Sequence, residues 1–138
     1  MCVVGAFMME TINRNTRRRP FIMTIGLVEK SGDRRTRGME VVQWIISQWM
    51  LKQKKTGKPY IPGQCDYNTT IYVDGSKAAI EPTAVFKGDL DPIDNRTLSD
   101  KDAVKALTEL AELLANELKQ DVIHLVYGEE NFVLKRKP

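Results

Sequence analysis

The amino-acid sequence predicts an α+β fold in which two amphipathic helices alternate with about four strands in the order β-α-β-β-α-β. Two segments repeat apolar residues at helical spacing, two adjoining segments alternate between apolar and polar residues, and two more are short apolar runs. The length of 138 residues suits one domain with a single core. An apolar content of 42% and a charged content of 28% are those of an ordinary globular protein.

The first strand and the first helix are predicted in the first half of the chain. An apolar run over residues 21–28 ends in a polar turn that contains Gly32, which is typical of a strand followed by a loop. From residue 39 to about residue 54, apolar residues recur at i, i+3, i+4 and i+7, namely Val42, Ile45, Ile46 and Trp49. Gly57 and Pro59 end this helix.

Residues 66–87 are predicted to form a β-hairpin. The first strand alternates, so that Tyr67 points to one face of the sheet and Tyr72 to the other. Asp74 and Gly75 supply a two-residue turn. Pro82 lies inside the second strand and has no N–H to donate, so we expect this strand to be at a sheet edge or bulged at that point.

The second helix and the last strands follow a polar connector at residues 88–98. Ser99 is predicted to cap the helix, whose apolar stripe continues to Leu118. A continuous apolar strand at residues 122–127 and a short last strand at 132–134 come next. Two helices that cross over between strands are typical of ferredoxin-like folds, which are two-layer sandwiches. Because the helices cover one sheet face, we expect self-association to bury the other.

Residues 1–20 are predicted to be a flexible extension in front of a single domain at residues 21–138. The extension shows neither helical nor strand periodicity. Without its four arginines and Glu10, the domain holds 17 basic and 17 acidic residues. The formal net charge of +3 therefore predicts no basic surface on the domain, and nucleic acid is not an expected partner.

Composition also limits the compartment and the chemistry. No apolar run approaches the length that spans a bilayer, so no membrane partner is expected. Cys2 and Cys65 are too few for a disulfide framework and lack the paired spacing of a zinc site, which favours a reducing cytoplasm. Glycine-rich phosphate-binding motifs are absent from the sequence.

Few residues can carry acid–base chemistry. His124, the single histidine, lies in an apolar strand, where a packed and hydrogen-bonded structural histidine is expected. Glu81 is the best candidate, because a carboxylate beside Pro82 in a strand is hard to explain by folding alone. The alternative is that Glu81 points to water from an edge strand and discourages aggregation.

Aromatic and charged side chains supply the remaining candidates. Three tyrosines can stack on a heterocycle or face a cation, although they can equally serve packing alone: Tyr60, Tyr67 and Tyr72. The acidic connector at residues 89–94 lacks the ligand spacing of a calcium loop, so no metal site is expected. Three arginines can hold an anion or form a solvated charge run: Arg34, Arg35 and Arg37.

Residues 116–127 carry a resemblance to a known family. There the helix end Asn116-Glu117-Leu118-Lys119-Gln120-Asp121 runs directly into the strand Val122-Ile123-His124-Leu125-Val126-Tyr127. Together with the opening strand at residues 21–28 and a mid-chain glutamate, placed at Glu81, this pattern resembles the bacteriophage S-adenosylmethionine (SAM) lyases, formerly called SAM hydrolases. The resemblance spans residues 21–127 in the order of elements.

The resemblance implies a reaction and an assembly. SAM lyases are trimers of α/β sandwiches that resemble PII signalling proteins, with active sites between subunits. They convert SAM to methylthioadenosine and homoserine lactone. Because the carboxylate of the substrate is the nucleophile and its sulfonium the leaving group, the resemblance implies no cofactor, metal or histidine base, with SAM itself as substrate. It also implies a homotrimer in the host cytoplasm and an anti-restriction role.

The resemblance further implies roles for individual residues. Glu81 would hold the substrate ammonium, and Tyr72 or Tyr60 would contact the carboxylate or the sulfonium. The other acids that can match the family's glutamate are Glu112, Glu117 and Glu129. Two rival functions stay open: a non-enzymatic PII-like regulator that binds a nucleotide, and a nucleic-acid-binding domain that uses the arginine-rich tail.

Overall fold

In the residues that the structure describes, five strands and two helices alternate along the chain. The computed structural model describes residues 8–11, 17–90, 95 and 97–138. The elements are β1 Pro20–Gly26, α1 Met39–Lys55, β2 Gln64–Asp74, β3 Lys77–Asp89, α2 Asp100–Leu118, β4 Val122–Tyr127 and β5 Glu130–Lys135. Most of the predicted extension and part of the acidic connector lie outside the described residues.

These strands form one antiparallel sheet in the order β2-β3-β1-β4-β5. The first four strands in chain order give the ferredoxin-like arrangement, and β5 extends it beside β4. Both helices pack on one face of the sheet. The predicted α+β two-layer fold is therefore confirmed, and the short predicted last strand is the centre of the longer β5.

The core lies between the sheet and the helices. Alternate residues of β1, Phe21, Met23 and Ile25, are at most 1% exposed. They pack against the apolar stripe of α2, which includes Leu107 and Leu114. Each such side chain contributes roughly 1.5–3 kcal/mol by leaving water. This packing fixes β1 and the end of α2, the two elements that hold the loop described below.

The helix boundaries follow local signals. Ser99 caps α2 as predicted, because its Oγ accepts a hydrogen bond of 3.1 Å from the amide of Asp102. The helix ends at Leu118, and Lys119 takes a left-handed conformation with φ of 52°. At the end of α2, the carbonyls of Glu117 and Lys119 accept hydrogen bonds from Arg37 and Lys30 of the loop after β1.

No helix covers the second sheet face within the described part of the chain. Ile22 and Val133 lie on this face and are 43% and 54% exposed. His124 lies beside them, is exposed, and its imidazole forms no hydrogen bond with any described residue. The prediction of a packed, hydrogen-bonded histidine is wrong, because the alternation of β4 turns residue 124 away from the helices.

The β2–β3 hairpin extends beyond the rest of the sheet. β3 pairs with β1 only from Thr83 to Asp89, but with β2 along nearly its whole length. The Pro82 carbonyl accepts a hydrogen bond of 3.1 Å from the amide of Leu27, just past the end of β1. The expectation of a bulge is wrong, because the register of β3 with β2 is unbroken, whereas the expectation of an edge holds at Pro82 itself: β3 is internal as a whole, but β1 ends opposite Thr83.

Three arginines directly before β1 pair with acidic residues of the domain. Arg17 and Arg19 lie 2.8 and 3.2 Å from the Asp100 carboxylate. Arg18 lies 2.8 Å from Asp89. The pairs of Arg17 and Arg18 are exposed and contribute little to stability, whereas the Arg19 side chain is only 15% exposed. The flexibility of residues 1–20 stays a prediction.

Candidate functional site

Glu81 lies on β3 where the hairpin passes beyond β1. Thr70 is its partner on β2, and Tyr72 is its diagonal neighbour on the same sheet face. The Tyr72 hydroxyl donates a hydrogen bond of 2.7 Å to Oε1 of Glu81. The Glu81 side chain remains 24% exposed. The hairpin thus presents an accessible carboxylate whose orientation is set by a phenol.

Lys30 completes a group of three residues, Glu81, Tyr72 and Lys30, which we call the Glu81 cluster. Its Nζ lies 2.9 Å from Oε2 and 3.1 Å from Oε1 of Glu81. Lys30 comes from the loop after β1, 51 residues before Glu81 in the sequence. Sequence reasoning missed this lysine, because its local pattern is that of any solvated surface residue.

The end of α2 holds the loop that carries Lys30. The Lys30 amide donates a hydrogen bond of 2.9 Å to the carbonyl of Lys119. Nε2 of Gln120 donates another, of 2.8 Å, to the carbonyl of Val28. Both contacts reach the loop from the residues that follow the helix. The position of Lys30 is therefore tied to the core through α2.

Glu29, next to Lys30, is a buried carboxylate with no exposed side-chain surface. It accepts a hydrogen bond of 2.9 Å from Arg37 and one of 3.4 Å from Arg35, and Arg37 also donates to the carbonyl of Glu117. Burial, the largest influence, raises the pKa of Glu29, but the bonds from Arg35 and Arg37 together outweigh it and lower the pKa. These two arginines therefore hold an internal anion, which stabilises the loop.

Hydrogen bonding sets the protonation states of the cluster. The bond from Lys30, followed by that from Tyr72, holds the pKa of Glu81 below its usual value. The bond to Glu81 is also the main cause that raises the pKa of Tyr72. At neutral pH the carboxylate is ionised and the phenol keeps its proton. Tyr72 thus acts as a donor that orients Glu81, and Glu81 acts as an anion.

The Glu81 cluster has capacity for one more ligand group. An ionised carboxylate offers about four lone-pair positions, of which Lys30 and Tyr72 occupy three. A further ammonium or N–H donor can therefore bind Glu81 without displacing either neighbour. The arrangement suits recognition of a cation, and its own residues provide no general base other than Glu81.

Tyr67 and Tyr60 do not contact Glu81 within the described chain. Tyr67 pairs with the core residue Ala84, so it lies on the helix side of the sheet, where it is 62% exposed. Tyr60 lies in the loop before β2, packs against the core, and its carbonyl accepts a hydrogen bond of 3.0 Å from Asn95. Of the three candidate tyrosines, the structure brings only Tyr72 to Glu81; substrate roles for Tyr60 and Tyr67 stay predictions.

The alternative acids lie elsewhere. Glu112 lines a depression between α2 and β5 together with Asn116 and Arg136. Glu129 lies in the turn between β4 and β5. Across residues 8–11, 17–90, 95 and 97–138, no group of three or more His, Cys, Asp or Glu side chains gathers as a metal site would require. None of the helices in these ranges is long and apolar enough to cross a membrane.

The fold and the cluster define a two-layer α+β sandwich with a partly exposed carboxylate on an extended hairpin. No family model and no curated protein matches the sequence. A phage SAM lyase in complex with S-methyl-5'-thioadenosine is similar in structure, with a TM-score of 0.65, 16% identity, and coverage of 94% of this chain and 97% of that chain. A phage SAM lyase in the apo state is similar as well, with a TM-score of 0.65, 15% identity, and coverage of 95% of this chain and 98% of that chain. The expected resemblance to phage SAM lyases is confirmed at the level of the fold.

Proposed function

We propose that this protein is a SAM lyase, which cleaves SAM to 5'-methylthioadenosine and L-homoserine lactone. One observation carries the proposal: an ionised Glu81, oriented by Tyr72 and Lys30, lies on the accessible hairpin of a chain that shares its fold with phage SAM lyases. The ammonium of SAM is the kind of group that this carboxylate can bind. The similar phage enzyme was solved with S-methyl-5'-thioadenosine, the nucleoside product expected here.

The proposed reaction is an intramolecular substitution. One carboxylate oxygen of SAM attacks the γ-carbon of the same molecule and forms the C–O bond of the lactone. The bond between that carbon and sulfur breaks, and its electron pair stays on sulfur, which changes from a sulfonium to a neutral thioether. The negative charge of the carboxylate and the positive charge of the sulfonium disappear together, so no proton has to be transferred.

The protein's part in this reaction is to fold the substrate. Glu81 holds the ammonium, and Tyr72 keeps the Glu81 carboxylate in one orientation. Anchoring the ammonium limits the rotation of the adjoining carboxylate and favours the conformer in which it lies behind the γ-carbon. Well-oriented intramolecular reactions gain about 7–11 kcal/mol in this way. Keeping water from the sulfonium prevents the competing hydrolysis.

We assign the active sites to interfaces of a homotrimer. The extended hairpin carries three exposed apolar side chains on the face opposite Glu81: Ile71 at 70%, Val73 at 76% and Ile80 at 68% exposure. Contiguous apolar residues of this kind are typical of protein interfaces. A copy that packs on this face would cover the apolar side chains, and in a closed trimer a further copy on the opposite face of the hairpin would add a second wall to the Glu81 cluster, which one chain leaves open to water. Light scattering tests this assignment, and a dilution-resistant monomer would contradict it.

Turnover of SAM tests the proposed function. Purified protein is expected to produce methylthioadenosine from SAM, as followed by chromatography. Nucleotide binding without turnover would instead identify the non-enzymatic PII-like regulator. The rival nucleic-acid function gains no support from Arg17, Arg18 and Arg19, because each of them already pairs with a carboxylate of the domain.

A further inference from the structure

The ammonium group of Lys30 has a hydrogen-bond donor in reserve beside Glu81. A lysine ammonium has three N–H donors. Two of them account for the bonds of 2.9 and 3.1 Å to the Glu81 oxygens. Among the described residues, no other acceptor contacts this ammonium. One donor is therefore left for a ligand bound at the Glu81 cluster.

Lys30 is also held more firmly than a solvated lysine. Its side chain is 35% exposed, and its amide is bonded to the carbonyl of Lys119. The residue before it, Glu29, is buried and clamped by Arg37. Ordering a long side chain costs conformational entropy, and an isolated surface ion pair contributes too little to offset that cost. The contacts of the Lys30 backbone reduce the part of this cost that comes from the loop. The loop therefore presents a pre-positioned positive charge at the proposed substrate site.

Lys30 and Glu81 together complement the amino-acid end of SAM. The ammonium and the carboxylate of an α-amino acid are attached to one carbon atom, so the distance between them is short and fixed. The two side chains present opposite charges at a similarly short distance of 2.9 Å. If the substrate lies antiparallel to this ion pair, its ammonium meets Glu81 and its carboxylate meets Lys30. The substrate then forms two adjacent ion pairs with the protein, one with Glu81 and one with Lys30.

We infer that Lys30 binds the substrate carboxylate and makes the site specific for ligands with an intact amino-acid end. The inference rests on the proposed function, since it places SAM on Glu81. A bond from Lys30 to one carboxylate oxygen fixes the carboxylate and leaves the other oxygen for attack on the γ-carbon. Lys30 is thus a specificity-determining residue that also orients the nucleophile.

Calorimetric titration of the full chain with three ligands tests this inference. S-adenosylhomocysteine keeps both charged groups of the amino-acid end, and it is cleaved poorly because its neutral thioether would have to leave as a thiolate. Decarboxylated SAM keeps the ammonium of the amino-acid end but not the carboxylate. Methylthioadenosine lacks both groups. The test variant is Lys30→Met. The matched control is Lys87→Met. In the wild type, the Lys87 ammonium pairs with Asp66 at 2.8 Å on the β2–β3 hairpin. Thermal melting verifies that each variant is folded.

Lys30→Met is expected to weaken S-adenosylhomocysteine binding roughly ten- to a hundredfold, which is the loss of one charge-assisted hydrogen bond. Decarboxylated SAM, whose ammonium reports on Glu81, is expected to bind within a fewfold of wild type, and methylthioadenosine, which lacks both charged groups, is expected to bind as in the wild type. Lys87→Met changes none of the three affinities. Equal or tighter binding of S-adenosylhomocysteine by Lys30→Met, or an equal loss for all three ligands, overturns the inference alone. A wild-type protein that binds none of the ligands overturns the proposed function and, with it, this inference.

Discussion

The hydroxyl of Tyr72 donates a hydrogen bond of 2.7 Å to Oε1 of Glu81 across the β2–β3 hairpin. The two residues are diagonal neighbours on one sheet face, so their contact follows from the hairpin register. Lys30 reaches the same carboxylate from the loop after β1. The orientation and the charge of Glu81 therefore depend on two separate parts of the chain, and each can be altered alone.

Glu81→Gln is expected to reduce SAM turnover by orders of magnitude while the fold survives. The amide keeps the size of the side chain but loses the charge that we propose holds the substrate ammonium. Because the proposed nucleophile belongs to the substrate, added bases should not restore activity. Asp66→Asn on the same sheet face is the matched control, with turnover close to wild type. Near-normal turnover by a folded Glu81→Gln protein would rule out the assignment.

Replacing the three candidate tyrosines one at a time separates their roles. Tyr72→Phe removes the bond that orients Glu81, and we expect kcat/KM to fall roughly tenfold. Tyr60→Phe and Tyr67→Phe are expected to have smaller effects, because neither hydroxyl bonds to Glu81. Full activity of Tyr72→Phe would show that the phenol does not orient the site. A loss in Tyr67→Phe as large as that in Tyr72→Phe would show that Tyr67 reaches the substrate.

The acid limb of the pH profile reports the ionisation of Glu81. Its folded-state pKa is lowered by Lys30 and then by Tyr72, so the carboxylate stays charged as the pH falls past the ordinary glutamate value of about 4.3. We expect kcat/KM to decline only below that pH. In Tyr72→Phe the limb should move to higher pH, because one stabilising bond to the ionised form is lost. An acid limb above the ordinary value in the wild type contradicts this assignment.

Glu29→Gln is expected to lower the melting temperature by several degrees at neutral pH. The variant leaves the guanidinium of Arg37 without its buried counter-ion. The pKa of Glu29 is lowered in the folded state, so its stabilisation is present above the unfolded value and is lost as the pH falls through the folded one. The stability difference from wild type should therefore shrink on acidification below about pH 4.3. Glu109→Gln, at an exposed helix position, is the control; a pH-independent difference would contradict this account.

Two truncations test the role of the segment before β1. Deleting residues 1–16 is expected to leave the melting temperature and turnover unchanged, because this segment has no periodicity of its own. Deleting residues 1–20 also removes the half-buried pair of Arg19 with Asp100, and a small fall in melting temperature is expected. Differential scanning calorimetry of both proteins measures the difference. A large loss of stability on removing residues 1–16 alone would show that they pack on the domain.

The elements of the fold could be predicted because each has a local pattern. Apolar spacing predicted both helices, and Ser99 caps α2 as predicted. The hairpin turn contains Gly75 as predicted, but it comprises residues 75 and 76, one position later than the predicted Asp74 and Gly75. The wrong predictions concern which strand or helix lies beside a residue, which a local sequence pattern does not identify. Pro82 is compatible with an internal strand only because β1 ends beside it. His124 is exposed because its alternation faces away from the helices, which a short apolar run does not specify.

The site was only partly predictable from the sequence. Glu81 and Tyr72 are in one hairpin, so alternation and register bring them together. Lys30 is 51 residues away and depends on β1, the end of α2 and the buried Glu29. No local signal connects a lysine in a polar turn with a distant glutamate. A single sequence does not show which distant residues, such as Lys30 and Glu81, come into contact in the folded chain.

Following the origin of the oxygen atoms in the first product tests the central claim most directly. The protein is incubated with SAM in water enriched in heavy oxygen, and early products are identified by mass spectrometry. Attack by the substrate's own carboxylate predicts methylthioadenosine and homoserine lactone in equal amounts, with no heavy oxygen in the lactone. Homoserine that forms first and carries heavy oxygen in its side-chain hydroxyl, or an absence of turnover, would contradict the account.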